Sequence, residues 1–216
     1  METIIRFFQD GGVFMYPIAI VLIVGIAMVI DRWVFLTKAK RINREAFDKI
    51  QPMLNQGDIK GVLSLGKNSE APVAKIVAAG LLRMQHSRKR DDVELAMEEG
   101  VLEAVPQLEK RTNYLATLAN IATLLGLLGT IMGLIAAFTA VAEADPSQKA
   151  TLLSQSISVA MNTTAFGLMS AIPLMMFHAM LVNKTTEIVD SLEMSGVKVL
   201  NTLFRLATNK ANTDKA

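Results

Sequence analysis

The sequence predicts an all-α integral membrane protein with three transmembrane helices, whose long helices extend into a cytoplasmic helical region. Three stretches without Asp, Glu, Lys or Arg support this prediction, at residues 11–30, 112–142 and 150–183. Each is long enough to cross a hydrocarbon layer of about 30 Å as a helix. A soluble chain in which 19% of the residues are charged rarely leaves three such stretches, so three buried helices of a soluble bundle are the weaker alternative.

The distribution of basic residues predicts how these helices are oriented. We place the transmembrane helices at residues 13–36, 114–141 and 155–182. With these spans, only two of the 22 Lys and Arg residues, Arg6 and Lys149, fall on one side of the membrane. Because cytoplasmic loops carry the excess of Lys and Arg, that side is predicted to be periplasmic. It comprises residues 1–12 and 142–154, whereas residues 37–113 form the cytoplasmic helical region and residues 183–216 the cytoplasmic C-terminal helix and tail.

The first span is predicted to remain in the protein rather than to act as a cleaved signal peptide. A cleavage site requires small residues, and the charged pair Asp31-Arg32 stands there instead.

The composition excludes several classes of function. The chain has no cysteine, which rules out disulfides, thiolate metal sites and thiol nucleophiles. A net charge of +2 leaves no cationic excess to follow a phosphate backbone, which argues against nucleic-acid binding. An intramembrane hydrolase is disfavoured because Ser170 lacks a Gly-x-Ser-x-Gly context and His178 is the only membrane histidine. We therefore expect no enzymatic activity, no cofactor and no resident metal.

Four helices are predicted in the cytoplasmic region, separated by turn residues near positions 56–58, 66–72 and 86–90. The first two, at 38–54 and 58–65, form a hairpin, and Pro72 begins a third that reaches residue 84. The fourth starts near Asp91 and is expected to continue into the membrane with a kink at Pro106. The basic run at 88–90 is interpreted as a solvated turn, with binding to anionic membrane lipids as the alternative.

The second span carries a stripe of glycines. Gly126, Gly129 and Gly133 recur at spacings of three and four, so they fall on one face of a helix. Inside a membrane, small residues at this spacing let two helix backbones touch, and in an oligomer the stripe could face neighbouring copies. Thr123 and Thr130 form a polar line on the same span, which requires a wet or protein-lined neighbour.

The third span carries a second stripe, made of small and polar residues. Its members are Ser156, Ala160, Thr163, Gly167 and Ser170, with Asn162 and Thr164 beside them. Hydroxyl and amide oxygens can replace part of an ion's hydration shell, whereas Ser and Thr can also bond back to their own helix. For two facing stripes we favour a shared hydrated pathway. Pro173 is expected to kink the helix and to free a carbonyl near that pathway.

Two sequence runs resemble a known family. The runs LLGLLGTIMG at 124–133 and TTAFGLMSAIP at 163–173 look like the signature helices of the MotA/TolQ/ExbB ion-channel family. Residues 11–18 and the pair Asp31-Arg32 resemble the first span of its ExbB and TolQ branch, whereas the flagellar MotA branch has four spans. The resemblance implies a homo-pentameric ring in the bacterial inner membrane. It also implies an ExbD- or TolR-like single-span partner with an intramembrane aspartate, and ion flow that drives a TonB- or TolA-like periplasm-spanning protein.

These observations define a candidate ion pathway. The pathway residues are Thr130, Asn162, Thr163 and Thr164, and the residues that serve the pathway or its packing are Thr123, Gly126, Gly129, Gly133, Gly167, Ser170 and Pro173. The sequence departs from the family pattern at Val159, where relatives carry a glutamate, and at Thr123, where a proline is frequent. By resemblance the conducted ion is H⁺, with Na⁺ held transiently at Thr163 and Thr164 as the alternative. A non-conducting membrane scaffold is the remaining alternative.

Overall fold

The protein, a computed structural model, is described here for residues 11–213, with side chains up to residue 208. This range contains α-helices joined by short turns. The helices are α1 (Met15–Asn55), α2 (Ile59–Asn68), α3 (Pro72–His86), α4 (Arg90–Glu109), α5 (Asn113–Glu143) and α6 (Lys149–Thr213). The predicted all-α class is therefore confirmed.

Three of the helical segments are long and apolar enough to cross a membrane, as predicted. They lie in α1, in the segment Arg90–Glu143, whose apolar part belongs to α5, and in α6. At 1.5 Å per residue, α1 with its 41 residues is about 60 Å long, and α6 with its 65 residues is about 98 Å long. Both lengths exceed the hydrocarbon layer of about 30 Å, so each of these helices extends beyond the membrane.

The chain divides into two compact units. The first, which we call the membrane unit, comprises the residues up to Arg32 together with Arg111–Leu181. The second, the extramembrane unit, comprises Trp33–Lys110 and the residues from Val182 onward. Helices α1 and α6 each contribute to both units. In these two helices the boundary between the units lies within the helix, so no loop in the sequence marks it.

The core of the membrane unit joins its three helices. Met15 and Ile18 of α1 are fully buried and pack with Phe166 of α6. Leu125 of α5 packs against the same cluster. The outward faces of the three helices carry exposed large apolar side chains, such as Ile23 in α1. Such faces suit a lipid environment, where apolar side chains incur no hydration penalty.

The expectation that the fourth cytoplasmic helix continues into the membrane was wrong. Helix α4 ends at Glu109 and α5 begins at Asn113. Between them Arg111 has a φ of 68°, a left-handed conformation that breaks the helix and that non-glycine residues adopt only at some energetic cost. Its guanidinium lies 3.8 Å from the carboxylate of Asp31 in the same unit. No glycine marks this break in the sequence, so composition gave no signal of it.

The extramembrane unit is built mainly from the packing of short helices. Helix α3 buries the apolar side chains Val73, Ile76 and Val77, and α4 buries Val93 and Met97. Helices α2 and α3 follow the predicted boundaries closely, with Asp58 accepting a hydrogen bond from the Gly61 amide at 2.9 Å as the N-cap of α2. Pro72 begins α3 as predicted.

One buried side chain ties α1 to α3 in this unit. Asn43 is 5% exposed, and its Oδ1 accepts a hydrogen bond from the Val73 amide at 3.1 Å. Asn43→Ala is expected to lower the free energy of unfolding by about 1–3 kcal/mol, because it leaves a buried amide hydrogen without its acceptor. Thermal unfolding of the detergent-solubilised protein measures this loss. Exposed Asp48→Ala serves as the control on the same helix and should leave the melting temperature unchanged.

Candidate ion-pathway site

The α5 and α6 backbones approach each other closely at Gly126 and Gly167. A Cβ atom built at Gly126 would lie 3.2 Å from the Cα of Gly167. A Cβ atom at Gly167 would lie 2.8 Å from the carbonyl oxygen of Ala122. A side chain at Gly167 would force one helix to move, and a side chain at Gly126 would make an unusually tight contact, so both positions favour glycine.

The remaining glycines of the stripe also face α6 of the same chain. A Cβ atom at Gly129 would clash with the methyl group of Thr163, and one at Gly133 would lie 2.9 Å from the Cβ of Ala160. The stripe was predicted to allow close helix packing, and the helix against which it packs is α6 of the same chain. The expectation that it could face neighbouring copies is corrected, because α6 already occupies this face.

Three oxygen atoms converge just beside this contact. The hydroxyl of Thr164 lies 2.9 Å from the carbonyl oxygen of Gly126, and the hydroxyl of Thr130 lies 3.1 Å from the same oxygen. The two hydroxyl oxygens are also in hydrogen-bond contact with each other. We call these three atoms the oxygen cluster. The two hydroxyl groups supply two protons for hydrogen bonds among three oxygen atoms. Lone pairs on these oxygens therefore remain available to accept a further hydrogen bond or to coordinate a cation.

Thr163 has a different environment from its neighbour. Its side chain is 2% exposed, and its hydroxyl lies 2.6 Å from the Gly11 carbonyl oxygen and 2.9 Å from the Val159 carbonyl oxygen. A single hydroxyl proton is thus shared between two backbone acceptors. Thr163 therefore fastens the segment that precedes α1 to α6, and its hydroxyl proton is already engaged.

The other predicted residues are distributed along the two helices. Thr123 is half-buried and donates to the Ala119 carbonyl at 3.1 Å, which is the backbone-bonding geometry. Asn162 is half-buried, and its amide has no hydrogen-bond partner among the described residues. Ser170 is fully buried, and its hydroxyl is likewise unpartnered within the described part of the chain. Helix α6 continues through Pro173, which lies inside it.

The segment that precedes α1 is a part of the site that the sequence did not reveal. Besides the Gly11 carbonyl, Phe14 lies against the glycine stripe, with its Cβ 3.3 Å from a Cβ atom built at Gly129. Gly12 adopts a φ of 74°, which favours glycine, and faces Val159. The glycine pair at 11–12 was the available signal, since two adjacent glycines often mark close backbone contact.

The charges of the membrane unit lie outside the charge-free stretches of its three helices. Among the described residues its carboxylates are those of Asp31, Glu143 and Asp145. The same residues offer no group of three metal-binding side chains. The oxygen cluster therefore supplies polar ligands within an apolar bundle, and the described spans place no carboxylate beside it. Such an arrangement can coordinate water or a cation, whereas storing a proton requires an acid from elsewhere.

Comparison with known proteins gives a consistent result. The MotA/TolQ/ExbB proton channel family matches residues 68–194. A biopolymer transport protein ExbB homolog of Methanothermobacter thermautotrophicus is 28% identical over 194 residues, which cover 89% of this chain and 67% of that protein. A biopolymer transport protein ExbB-like 1 of Synechocystis is 27% identical, covering 85% and 72%. The Tol-Pal system protein TolQ of Haemophilus influenzae is 36% identical over 85 residues, or 38% of this chain and 36% of that protein.

Proposed function

The chain belongs to the MotA/TolQ/ExbB proton channel family, and from this premise we propose that it is an ExbB/TolQ-like subunit of an ion-driven motor. The motor couples proton flow across the cytoplasmic membrane to mechanical work on a periplasm-spanning protein. That work serves outer-membrane transport or maintenance of the cell envelope. The protein itself is a multi-pass membrane protein with three candidate spans.

The oxygen cluster carries this proposal. Thr130 and Thr164 present hydroxyl groups to each other and to the Gly126 carbonyl inside an otherwise apolar pair of helices. Polar groups inside a membrane are costly and mark ion or proton routes. We assign the ion pathway to Thr130, Asn162, Thr163 and Thr164. Within it, Thr130 and Thr164 face the ion, while Thr163 holds the pathway in shape.

The motor requires a partner that provides the titratable group. We assign this role to an ExbD- or TolR-like single-span subunit with an intramembrane aspartate, which acts in turn on a TonB- or TolA-like protein. One charge that moves through 100 mV releases about 2.3 kcal/mol. An aspartate that alternates between its protonated and ionised forms beside the oxygen cluster can use this free energy to drive rotation of the partner within a ring.

The assignment of the chain to the two sides of the membrane follows from its Lys and Arg residues. We propose that residues 1–12 and 142–154 are periplasmic. The spans are residues 13–36, 114–141 and 155–182, and residues 37–113 and 183–216 lie in the cytoplasm. The excess of basic residues on the second side supports this orientation.

Sodium is the second candidate for the conducted ion. The observation that favours it is the convergence of two hydroxyl oxygens and one carbonyl oxygen in the cluster. Oxygen atoms of this kind replace the hydration shell of alkali cations in channels. The apolar side chain of Val159 cannot bind or release a proton, which also favours sodium over H⁺.

Ion flux in proteoliposomes tests the proposed function. The protein is reconstituted with and without an ExbD- or TolR-like single-span subunit, and flux is driven by an imposed membrane potential. We expect flux only when both proteins are present, with a dependence on internal pH for H⁺ or on external sodium for Na⁺. Absence of flux in every combination, despite formation of the complex, would instead support the non-conducting scaffold.

The number of copies is a separate prediction. We expect the purified protein to be a pentamer, since five copies can enclose one central route for the partner's span. Native mass spectrometry of the protein released from nanodiscs measures the number directly. A monomer or a dimer, both in gentle detergent and in nanodiscs, would contradict the ring.

A further inference from the structure

A groove of about 370 Å³ runs along the extramembrane unit between α4 and the later part of α6. Its floor is apolar and includes Met97, Val101 and Leu200. Leu102 and Val197 also line it and are 69% and 47% exposed. In the isolated chain these side chains remain in contact with water, so covering them would be favourable.

The groove has an acidic rim. Glu94 and Glu98 of α4 and Glu193 of α6 line it. Among the described residues, none of these three carboxylates lies within ion-pair distance of a cationic side chain. Helix α4 carries seven acidic residues after Arg90 and no basic residue. Repulsion among these carboxylates is relieved when a cation approaches the rim.

Arg90 links the two helices that form the groove. Its Nη2 donates a hydrogen bond to Oδ1 of Asn201 at 2.6 Å, and its guanidinium carbon lies 6.0 Å from the centre of the Phe204 ring. These contacts hold α4 against α6. The groove therefore lies between two helices that are in direct contact through Arg90.

Gly196 lies at the bottom of this opening. A Cβ atom built at Gly196 would meet no atom within 4 Å, although the residue itself is buried. A glycine within a helix lowers stability relative to alanine, and here no internal contact requires it. Close approach by a group from outside the chain is a direct physical reason for a bare backbone at this point.

We propose that this groove binds a cationic amphipathic helical segment of a second protein. Apolar side chains of that segment lie over Gly196 and against Leu102 and Val197. Its Lys or Arg residues pair with Glu94, Glu98 and Glu193 on the rim. Anionic lipid headgroups are repelled by the same rim. The chain's own basic run at 88–90 is followed by two acids and has no apolar residue within it, so this run does not supply such a segment.

Binding of a designed peptide tests this proposal. The probe is a fluorescein-labelled synthetic helix of about 15 residues, with leucines on one face and lysines on the other, and its twin has glutamate for lysine. The full chain is held in nanodiscs of phosphatidylcholine, which adds no net lipid charge. We expect saturable binding of the lysine peptide, weakened by salt, and no binding of the glutamate twin.

Two sets of variants locate the binding site. Gly196→Leu fills the floor without meeting another atom at its Cβ, and the triple change Glu94→Gln, Glu98→Gln and Glu193→Gln neutralises the rim. Each is expected to weaken binding about tenfold or more. The control Glu99→Gln with Glu103→Gln removes two exposed carboxylates outside the groove and should bind as wild type does. Unchanged binding by both groove variants, with normal helical content and melting temperature, would overturn the proposal.

A cross-linking experiment distinguishes a second copy of the chain from a separate partner. Because the chain has no cysteine, Val197→Cys carries a single benzophenone label in the groove. Cross-linking of the labelled protein to the lysine peptide supports the proposal. A cross-link to another copy of the chain that the peptide cannot compete away would overturn it, since the groove would then be an interface between copies.

Discussion

Gly167→Leu is expected to destabilise the membrane unit strongly and to separate α5 from α6. At this position even a Cβ atom would lie 2.8 Å from the Ala122 carbonyl oxygen and 3.0 Å from the Cα of Gly126. Both neighbours are backbone atoms, so no side-chain rotation can relieve the clash, and the whole of α5 must move away from α6. We expect a loss of about 3 kcal/mol, the upper end of the overpacking range, and with it the loss of the oxygen cluster. Size-exclusion chromatography and thermal unfolding in detergent measure the outcome.

Ala136→Leu is the matched control for Gly167→Leu, because Ala136 is an exposed small residue of α5 in the same unit. It should yield monodisperse protein with the wild-type melting temperature. If Gly167→Leu behaved in the same way, the close contact between α5 and α6 would be contradicted.

Thr164→Val is expected to reduce partner-dependent ion flux about tenfold while leaving the protein folded. The substitution removes one hydroxyl from the oxygen cluster and keeps the volume of the side chain. The close backbone approach of Gly126 and Gly167 does not involve this hydroxyl, so we expect the helix packing to be preserved. Loss of one hydrogen-bonding oxygen costs about 1.5 kcal/mol, which corresponds to about a tenfold change in rate. Thr164→Ser restores the oxygen and should restore most of the flux.

Substitutions at two other threonines distinguish residues that serve the ion pathway from residues that only pack. Thr163→Val removes the hydroxyl that contacts the Gly11 carbonyl in a buried position, so it should lower the melting temperature. Thr123 bonds to its own helix at the Ala119 carbonyl, and Thr123→Val should change neither stability nor flux appreciably. Wild-type flux in Thr164→Val would assign Thr164 to backbone bonding alone.

The spans and the glycine contact could be predicted from the sequence because each depends on a local rule. A membrane excludes charge, so the charge-free stretches identified the three helices. Spacings of three and four placed Gly126, Gly129 and Gly133 on one face, and the structure confirms a close backbone approach there. Which helix meets that face depends on tertiary packing, and for that reason the sequence left a neighbouring copy possible.

The sequence did not separate Thr163 from Thr164. Adjacent residues of a helix point about 100° apart, so one hydroxyl is buried against the Gly11 carbonyl while the other meets Thr130. The contact with Gly11 spans 152 positions of the chain, which no local pattern encodes. The break at Arg111 was missed for a similar reason, since a positive φ at arginine has no compositional signal.

Chemical blockage at Thr164 tests most directly whether the oxygen cluster lies on a hydrated ion route. The chain has no cysteine, so Thr164→Cys introduces the single thiol. A positively charged methanethiosulfonate reagent reacts with thiols that water reaches, and it is added during partner-dependent flux in proteoliposomes. We predict that flux through Thr164→Cys stops on addition and recovers on reduction, while the cysteine-free parent is unaffected. Undiminished flux through Thr164→Cys, with the thiol shown to be unmodified, would contradict the assignment of Thr164 to the route.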